Sequence, residues 1–190
     1  MNVTERFVIT SPIDAVWALF QDVPELARCL PGAELTEDNG DGTYEGTVSV
    51  KLGPISSSFE GKATVLFSAD AYTSSIKGRG VDRSGGSQGR VEVDVKLSDI
   101  DGVSTEVMIN AKVMLAGPIA QFGRTGLVNE VSKRLIDEFS ECLHAKLDAA
   151  SAEDAALIEA SDVKGLSLFV SSTWGALVRW IRGLFSGSDR

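Results

Sequence analysis

A single long helical pattern, from Gly117 to about Ala150, constrains the fold of this chain more than any other feature. Its apolar residues recur mostly every three or four positions, which is the period of a helix that buries one stripe. Charged residues occupy the opposite side, so we expect that face to be solvated. The pattern predicts one amphipathic helix that needs an apolar surface to cover. The residues of the apolar stripe are Ile119, Phe122, Leu127, Val131, Leu135, Phe139, Leu143 and Leu147.

Small residues concentrate at the start of this predicted helix. Gly123 and Gly126 fall in its second turn, where each glycine costs about 0.5–1 kcal/mol relative to alanine. Two explanations stay open: close packing of the helix on a sheet, or space that is left for a ligand.

Alternating β-strand patterns fill the chain from Ala33 to Leu115. Turn residues at Asp38–Gly42 and Asp101–Gly102 separate apolar–polar alternations, which is typical of antiparallel hairpins. The glycine-rich stretch Lys77–Gly89 predicts a bulged edge strand or a mobile loop.

The first thirty residues predict one strand followed by two short helices. Asn2–Thr10 reads as the strand. Ser11 is a candidate N-cap, with Pro12 in the first helical position and Asp14 three residues after the cap. Asp22 can cap the second helix, which Pro31-Gly32 ends.

These elements predict an α+β helix-grip fold: an antiparallel sheet of about six to seven strands, curved around the long helix. That helix is the only cover that the pattern offers for one face of the sheet. Several residues of the predicted inward rows are small, namely Gly46, Gly61, Ala63 and Ala111. They reduce the side-chain volume on the concave side, so we expect an apolar cavity there.

Charge and cysteine content narrow the function classes. The net charge is −9, and an acidic chain without a basic stripe argues against nucleic-acid binding.

Cys29 and Cys142 do not form a disulfide framework, and we expect reduced, buried thiols. The N-terminus has no signal-peptide pattern, so a cytoplasmic location is the default.

Three motifs occur together in a fixed order: CLPGAE (Cys29–Glu34), LGPI (Leu52–Ile55) and GPIAQFG (Gly117–Gly123). With the segment DAVWALFQDVPELAR before them, they resemble the G-subunit family of carbon monoxide dehydrogenase over about Met1–Ala150. That family belongs to the START-like, polyketide-cyclase-like helix-grip superfamily. The resemblance implies a non-catalytic accessory protein beside a molybdenum-containing CO dehydrogenase at the cytoplasmic membrane. Across the superfamily, the cavity holds lipids and other hydrophobic molecules.

Composition changes sharply near the C-terminus. We expect a helix-grip domain at 1–150, a flexible acidic linker at 151–164 and an amphipathic helix at 165–190. From Gly165 onward the net charge is +2. The last segment could span a membrane, dock on protein, or lie in the membrane interface. Arg179, Arg182 and the two tryptophans favour the interface, on the cytoplasmic face. The residues expected to bind the membrane are Phe169, Trp174, Leu177, Arg179, Trp180, Ile181, Arg182 and Phe185.

Catalytic patterns are lacking in the sequence. His144 is the single histidine, so no metal-ligand set is apparent, and no serine or cysteine motif is paired with a base. Arg124 is either a solvated side chain or a hydrogen-bond donor to a ligand. We expect no catalytic residue, no metal and no covalent cofactor.

The predicted function is to hold a lipophilic ligand and to recruit CO dehydrogenase to the membrane and its quinone pool. The expected ligand is an isoprenoid quinone, menaquinone or ubiquinone. The alternatives are a membrane adaptor without a ligand, or an enzyme of the cyclase or hydrolase type. The predicted cavity residues are Trp17, Leu26, Leu30, Phe59, Phe67, Val107, Ile109, Phe122, Gly123, Gly126 and Leu127.

Overall fold

A computed structural model describes residues 1–52, 55–124, 127–149, 154–155 and 157–159 of the 190-residue chain. Side chains are described for the same residues except 52, 55 and 122–129. The predicted membrane segment and most of the predicted linker lie outside these residues.

Seven antiparallel strands form one sheet, in the spatial order β1-β7-β6-β5-β4-β3-β2. Consecutive strands pair from β2 through β7, and β1 pairs with the other edge of β7. The predicted α+β class and the curved antiparallel sheet are confirmed. The strands are β1 Asn2–Ile9, β2 Ala33–Asp38, β3 Thr43–Leu52, β4 Ile55–Ser68, β5 Thr73–Asp82, β6 Ser87–Asp99 and β7 Thr105–Ala116.

The glycine-rich stretch was interpreted wrongly. Lys77–Asp82 continues β5, which lies in the middle of the sheet and pairs on both sides without a register shift. Only Arg83–Gly86 forms a turn. Glycine lowers intrinsic strand propensity, but two flanking strands satisfy the backbone of β5 and override it.

The two short helices follow β1 as predicted, at Ile13–Gln21 (α1) and Val23–Arg28 (α2). Asp22 caps α2, since its side chain accepts a hydrogen bond from the Glu25 N–H at 3.1 Å. The predicted cap of α1 is wrong: Pro12 takes the N-cap position and no side chain caps this helix.

The predicted long helix differs from the observed one near its start. A 3₁₀ segment covers Pro118–Arg124, and the α-helix proper, α3, runs from Leu127 to Asp148. Gly117 has a φ of +80°, which favours glycine and ends β7. Gly123 therefore does not lie inside an α-helix, and the helical penalty that we expected for it does not apply.

The core lies between the inner face of the sheet, α1 and the second half of α3. Phe139 of α3 makes edge-to-face contacts with Phe7 and Phe20, each with ring centroids 6.4 Å apart. Burying such aromatic side chains is worth about 1.5–3 kcal/mol each. The cluster of buried residues comprises Ile9, Val16, Trp17, Phe20, Cys29, Val95, Leu97, Val107, Ile109, Phe139, Cys142 and Leu143.

The two cysteines are joined, which corrects the expectation of free thiols. Cys29, directly after α2, and Cys142 in α3 form a disulfide with Cα atoms 5.4 Å apart. Both are buried, as predicted. The sequence separation of 113 residues hid the pairing, because no local spacing pattern marks it.

Candidate functional site

The inner face of the sheet, on which α3 packs, divides into a closed half and an open half. In the closed half, next to α1 and the second half of α3, the inward side chains are buried. In the open half, on β3 and towards the other end of β4, β6 and β7, the apolar inward side chains are partly buried or exposed, whereas the polar inward side chains beyond them, Ser57, Asp82 and Ser87, are buried. The closed half comprises Ile9, Val95, Leu97, Val107 and Ile109; the open half comprises Tyr44, Val48, Phe59, Val91, Val113 and Leu115.

The open half is unusual because its side chains are apolar and point inward but are not covered. Val48 is 45 % exposed, and the other five remain accessible to a smaller degree. Burial raises the pKa of the Tyr44 phenol, with smaller contributions from Asp38 and Asp22. An apolar surface on the concave side of a sheet is a feature of ligand pockets.

Four glycines cross the open half in one straight row. Gly46, Gly61, Gly80 and Gly89 pair directly with one another on the neighbouring strands β3, β4, β5 and β6. A methyl group on Gly61 would overlap the carbonyl oxygen of Arg79, and one on Gly46 would overlap that of Glu34. The row therefore lets the strands approach and bend more closely than side chains would allow.

An aromatic cluster lies beside α1, between the end of β4 and the start of β5. The Trp17 ring contacts Phe67 and Tyr72 edge-on, with centroid separations of 5.9 and 5.7 Å. The Tyr72 hydroxyl donates to Asp14 Oδ1 at 2.6 Å, and this hydrogen bond raises the pKa of Tyr72. Asp14 thus anchors a tyrosine rather than capping α1. Phe67 stays 38 % exposed, which leaves part of the cluster open.

A buried carboxylate, Asp82, lies at the end of β5 and is 1 % exposed. Its Oδ1 accepts from the Gly85 N–H and the Ser84 hydroxyl, each at 2.8 Å. These hydrogen bonds, that of Gly85 first, lower the pKa of Asp82. Oδ2 has no hydrogen-bond partner among the described residues and faces Gly85, where a methyl group would overlap it. Asp82 therefore orders the β5–β6 turn from an inward position of β5, two residues beyond Gly80, where a hydrogen bond with the buried Ser57 also lowers its pKa.

The predicted cavity residues fall into three groups. Val107, Ile109 and Trp17 belong to the buried core, and Leu26 is partly buried against it. Phe59 lies in the open half, while Phe67 and Leu30 are 38 % and 43 % exposed. Phe122, Gly123, Gly126 and Leu127 lie outside the residues whose side chains are described.

Sequence reasoning did not select five residues of the open half as cavity residues: Tyr44, Val48, Val91, Val113 and Leu115. Their alternation placed them on the inward rows, but alternation gives a face and not a position relative to the covering helix. Gly46 and Gly61 were predicted on inward rows, but their alignment with Gly80 and Gly89 was not, because it depends on the register of four strands.

The single histidine lies on α3 against the first strand, where its Nε2 is 3.1 Å from the carbonyl oxygen of Val8. Within the described part of the chain, no helix is both long and apolar enough to cross a membrane. The eight residues from Phe169 to Phe185 that we expect to bind a membrane lie outside that part, as does the side chain of Arg124.

Comparison with known proteins identifies a family whose sequence profile matches this chain. The profile of a family described as the G subunit of carbon monoxide dehydrogenase (CoxG) matches residues 6–148. No curated protein sequence matches the chain at a significant level.

Similar solved structures share the fold at low identity. A conserved protein from Geobacillus kaustophilus has a TM-score of 0.68 at 18% identity, covering 77% of this chain and 95% of its own. A protein from Thermus thermophilus has a TM-score of 0.56 at 16% identity, with coverages of 80% and 100%. The Zhui aromatase/cyclase from a Streptomyces species has a TM-score of 0.56 at 14% identity, with coverages of 80% and 98%. At these identities the likeness shows the fold alone.

Proposed function

Since the chain belongs to the CoxG family, the G subunits of carbon monoxide dehydrogenase, we propose that it is a non-catalytic, membrane-associated carrier of a lipophilic ligand. The ligand lies between the open half of the sheet and the start of the long helix. In this proposal the protein recruits a molybdenum CO dehydrogenase to the cytoplasmic face of the membrane, and the ligand is an isoprenoid quinone.

One observation carries the proposal: the apolar inward side chains of the open half are not covered by the described part of the protein. Exposed apolar area costs about 25 cal/mol per Å² relative to burial. An apolar guest that covers Phe59, Val91, Val113 and Leu115 would recover that free energy. A quinone with an isoprenoid tail has the matching shape and polarity, because only its ring carries polar atoms.

The polar groups on the inner face support a binding role over catalysis. The Thr105 hydroxyl donates to the Ser11 carbonyl at 2.8 Å, and the Ser87 hydroxyl accepts from the Ile119 N–H at 3.3 Å. The hydrogen bonds of Asp82 come from Gly85, Ser84 and Ser57, not from a second titratable group. Since Thr105 and Ser87 serve the backbone, these groups do not form an acid–base pair.

The C-terminal segment supports the membrane part of the proposal through its composition. It carries Trp174 and Trp180 for the headgroup region and Arg179 and Arg182 for anionic lipids. Such a helix attaches reversibly, so the carrier could collect a quinone at the membrane and stay bound near the enzyme.

The first experiment is organic extraction of the full-length protein, purified from its native host without added lipid, followed by mass spectrometry. We expect about one quinone per chain. An extract without quinone or lipid would contradict the carrier and leave the adaptor, whereas another lipophile would correct the ligand.

A matched pair of variants tests the position of the ligand. Gly89→Val adds a side chain on the inner face between Phe59 and Leu115, so it should lower the quinone content at least several-fold. Gln88→Val adds the same apolar group to the exposed outer face of the same strand and should leave the content unchanged. Equal content in both variants would place the ligand elsewhere.

Membrane attachment is tested separately by deleting residues 165–190. We expect the shortened protein to leave the membrane fraction and to stop carrying purified CO dehydrogenase down with sedimenting vesicles. Unchanged partitioning would show that this segment is not the anchor.

A further inference from the structure

Three cationic residues stand in one row on the outer face of the sheet. Lys62 of β4 pairs directly with Arg79 of β5, and Arg79 pairs directly with Arg90 of β6. All three are exposed. Directly opposed side chains have Cβ atoms about 4.5–5.5 Å apart, and like charges at that distance are destabilising. A fold gains nothing from such a row, so the row needs another reason.

The two arginines of the row are not neutralised within the described part of the chain. Lys62 forms an ion pair with Glu45, and the nearby Arg83 forms one with Glu60. Arg79 and Arg90 form no ion pair with any carboxylate of the described residues. Two adjacent guanidinium groups are therefore available to an external anion.

The row crosses a groove of about 410 Å³, which we name the basic groove. Most of its lining side chains belong to the outer face, including Arg79, Arg90, Val81 and Met114. The glycine row gives its floor, because Gly61, Gly80 and Gly89 also line it. Val81 is 45 % exposed, so the groove offers apolar contacts beside its cations.

The charge around the basic groove is opposite to that of the chain. Six cationic residues line or border it, Lys62, Lys77, Arg79, Arg83, Arg90 and Lys112, against the three carboxylates Glu45, Glu60 and Glu92. The whole chain carries a net charge of −9. An acidic partner would be repelled by most of this protein and attracted here, which orients the encounter.

We propose that the basic groove docks an acidic segment on the surface of a partner protein. The two guanidinium groups bind carboxylates, each in the bidentate geometry that arginine favours, and Val81 and Met114 contact the apolar part of the segment. This rests on the proposed function in one respect: the partner enzyme is the protein expected to carry the segment.

A peptide segment fits the groove better than a membrane surface does. The row spans three strands, about 10 Å at the usual strand spacing, and lies in a recess rather than on a protruding surface. Glu45, Glu60 and Glu92 pair with Lys62, Arg83 and Lys112, so among the described residues the uncompensated positive charge lies at Lys77, Arg79 and Arg90. Anionic membranes attract clusters of about 4–8 basic residues, and the smaller charge here matches a single acidic segment.

The test measures binding of a fluorescein-labelled deca-glutamate peptide to the full-length protein by fluorescence anisotropy at low ionic strength. The variants are Arg79→Glu/Arg90→Glu and the milder Arg79→Gln/Arg90→Gln, each checked for folding by circular dichroism. The control is Lys96→Glu/Lys133→Glu, which makes the same change in net charge as the first variant at two exposed positions outside the groove. We expect at least tenfold weaker binding in both groove variants and less than threefold in the control. Failure of the wild type to bind, or equal weakening in the control, would overturn the proposal.

Phosphatidylglycerol vesicles provide the membrane arm. Sedimentation with these vesicles should be the same for the wild type and Arg79→Gln/Arg90→Gln. If the substitution abolishes vesicle binding and leaves peptide binding intact, the groove faces a membrane and the proposal is wrong.

Purified CO dehydrogenase separates this proposal from the proposed function. Loss of enzyme binding in the groove variants, with the control unaffected, supports both. If the wild type binds the peptide in the groove but does not bind the enzyme, recruitment of CO dehydrogenase fails while the acidic-segment site stands.

Discussion

The Lys146 ammonium group lies 2.7 Å from the Glu25 carboxylate and ties the last turn of α3 to α2. It also donates to the Ala155 carbonyl at 2.8 Å, so the chain that leaves α3 is held at the same point. The Lys146 side chain is only 1 % exposed. A buried charge of this kind is tolerated because it has both a counter-charge and a second acceptor.

Replacing Lys146 with methionine should therefore destabilise the protein. The substitution keeps the length of the side chain but leaves Glu25 and the Ala155 carbonyl without their donor. Since Glu25 is 23 % exposed, water recovers part of the loss, and we expect about 2 kcal/mol less free energy of unfolding.

Urea denaturation measures this loss, and Arg6→Met is the control. Arg6 lies 3.5 Å from Glu106, and the two side chains are 59 % and 32 % exposed, so its removal should cost at most about 1 kcal/mol. Equal losses in the two variants would show that burial does not strengthen the Lys146 contact.

The Cys29–Cys142 disulfide should add stability by restricting the unfolded chain. With a separation of 113 residues, the chain-entropy relation gives about 5 kcal/mol, and measured values are typically about 2–4 kcal/mol. Dithiothreitol should therefore lower the urea midpoint of the wild type.

The Cys29→Ala/Cys142→Ala variant provides the control for this experiment. It should match the reduced protein to within the cavity cost of the two replacements and should not respond to dithiothreitol. If dithiothreitol does not change the urea midpoint of the wild type either, the prediction is wrong.

The glycine row predicts opposite results at two of its positions. Gly61→Ala should cost about 3 kcal/mol, because the new methyl group would overlap the Arg79 carbonyl oxygen and force the strands apart. Gly89→Ala meets only ordinary contacts, at 3.7 Å from the Phe59 ring and 3.8 Å from Leu115.

At Gly89 the substitution should be neutral or should add about 0.4–1 kcal/mol, since alanine restricts the unfolded chain. Thermal unfolding of the two variants makes the comparison directly. Similar losses at both positions would mean that strand propensity, not the close approach of the strands at Gly61, decides the outcome.

Asp82 should make stability depend on pH in the acidic range. Hydrogen bonds hold its pKa in the folded protein below the ordinary value of 3.8. The stabilisation is complete above the pKa of the unfolded chain and is lost as the pH falls through the lower pKa of the folded protein. The urea concentration at the unfolding midpoint of the wild type should therefore decrease when the pH is lowered below about 4.

In Asp82→Asn this fall should be smaller, because the substituted side chain does not titrate. The exposed Asp94 gives the control, and Asp94→Asn should keep the pH dependence of the wild type. Identical profiles in all three proteins would exclude Asp82 as the source.

Arg79 should lower the free energy of unfolding relative to a neutral residue, although it supplies one of the two guanidinium groups of the basic groove. Arg79→Gln removes the like-charge contacts with Lys62 and Arg90 and should raise the free energy of unfolding by about 0.2–1 kcal/mol. Lys96→Gln, whose paired neighbours Thr73 and Met108 are uncharged, should change it less. A clear loss of stability in Arg79→Gln would indicate that the arginine has a structural role.

The sequence alone determined the fold class, because that depends on local periodicity. Alternation from Ala33 to Leu115 specified strands, the period of three to four residues around Leu135–Leu147 specified a helix, and Asp22 marked the start of α2. These signals need no knowledge of distant residues. Where local chemistry was ambiguous, as at Lys77–Gly89 and at Ser11–Pro12, the prediction was wrong.

Only the tertiary structure decided what lies next to what. Three relationships join residues that are distant in sequence. They are the disulfide between Cys29 and Cys142, the contact of the buried Lys146 with Glu25, and the row of Lys62, Arg79 and Arg90. The open half of the inner face has the same origin, because alternation directs Val91 and Val95 to one face but cannot tell which of them α3 covers. Strand register and the position of the helix on the sheet fix these relationships, and both arise from packing of the whole chain.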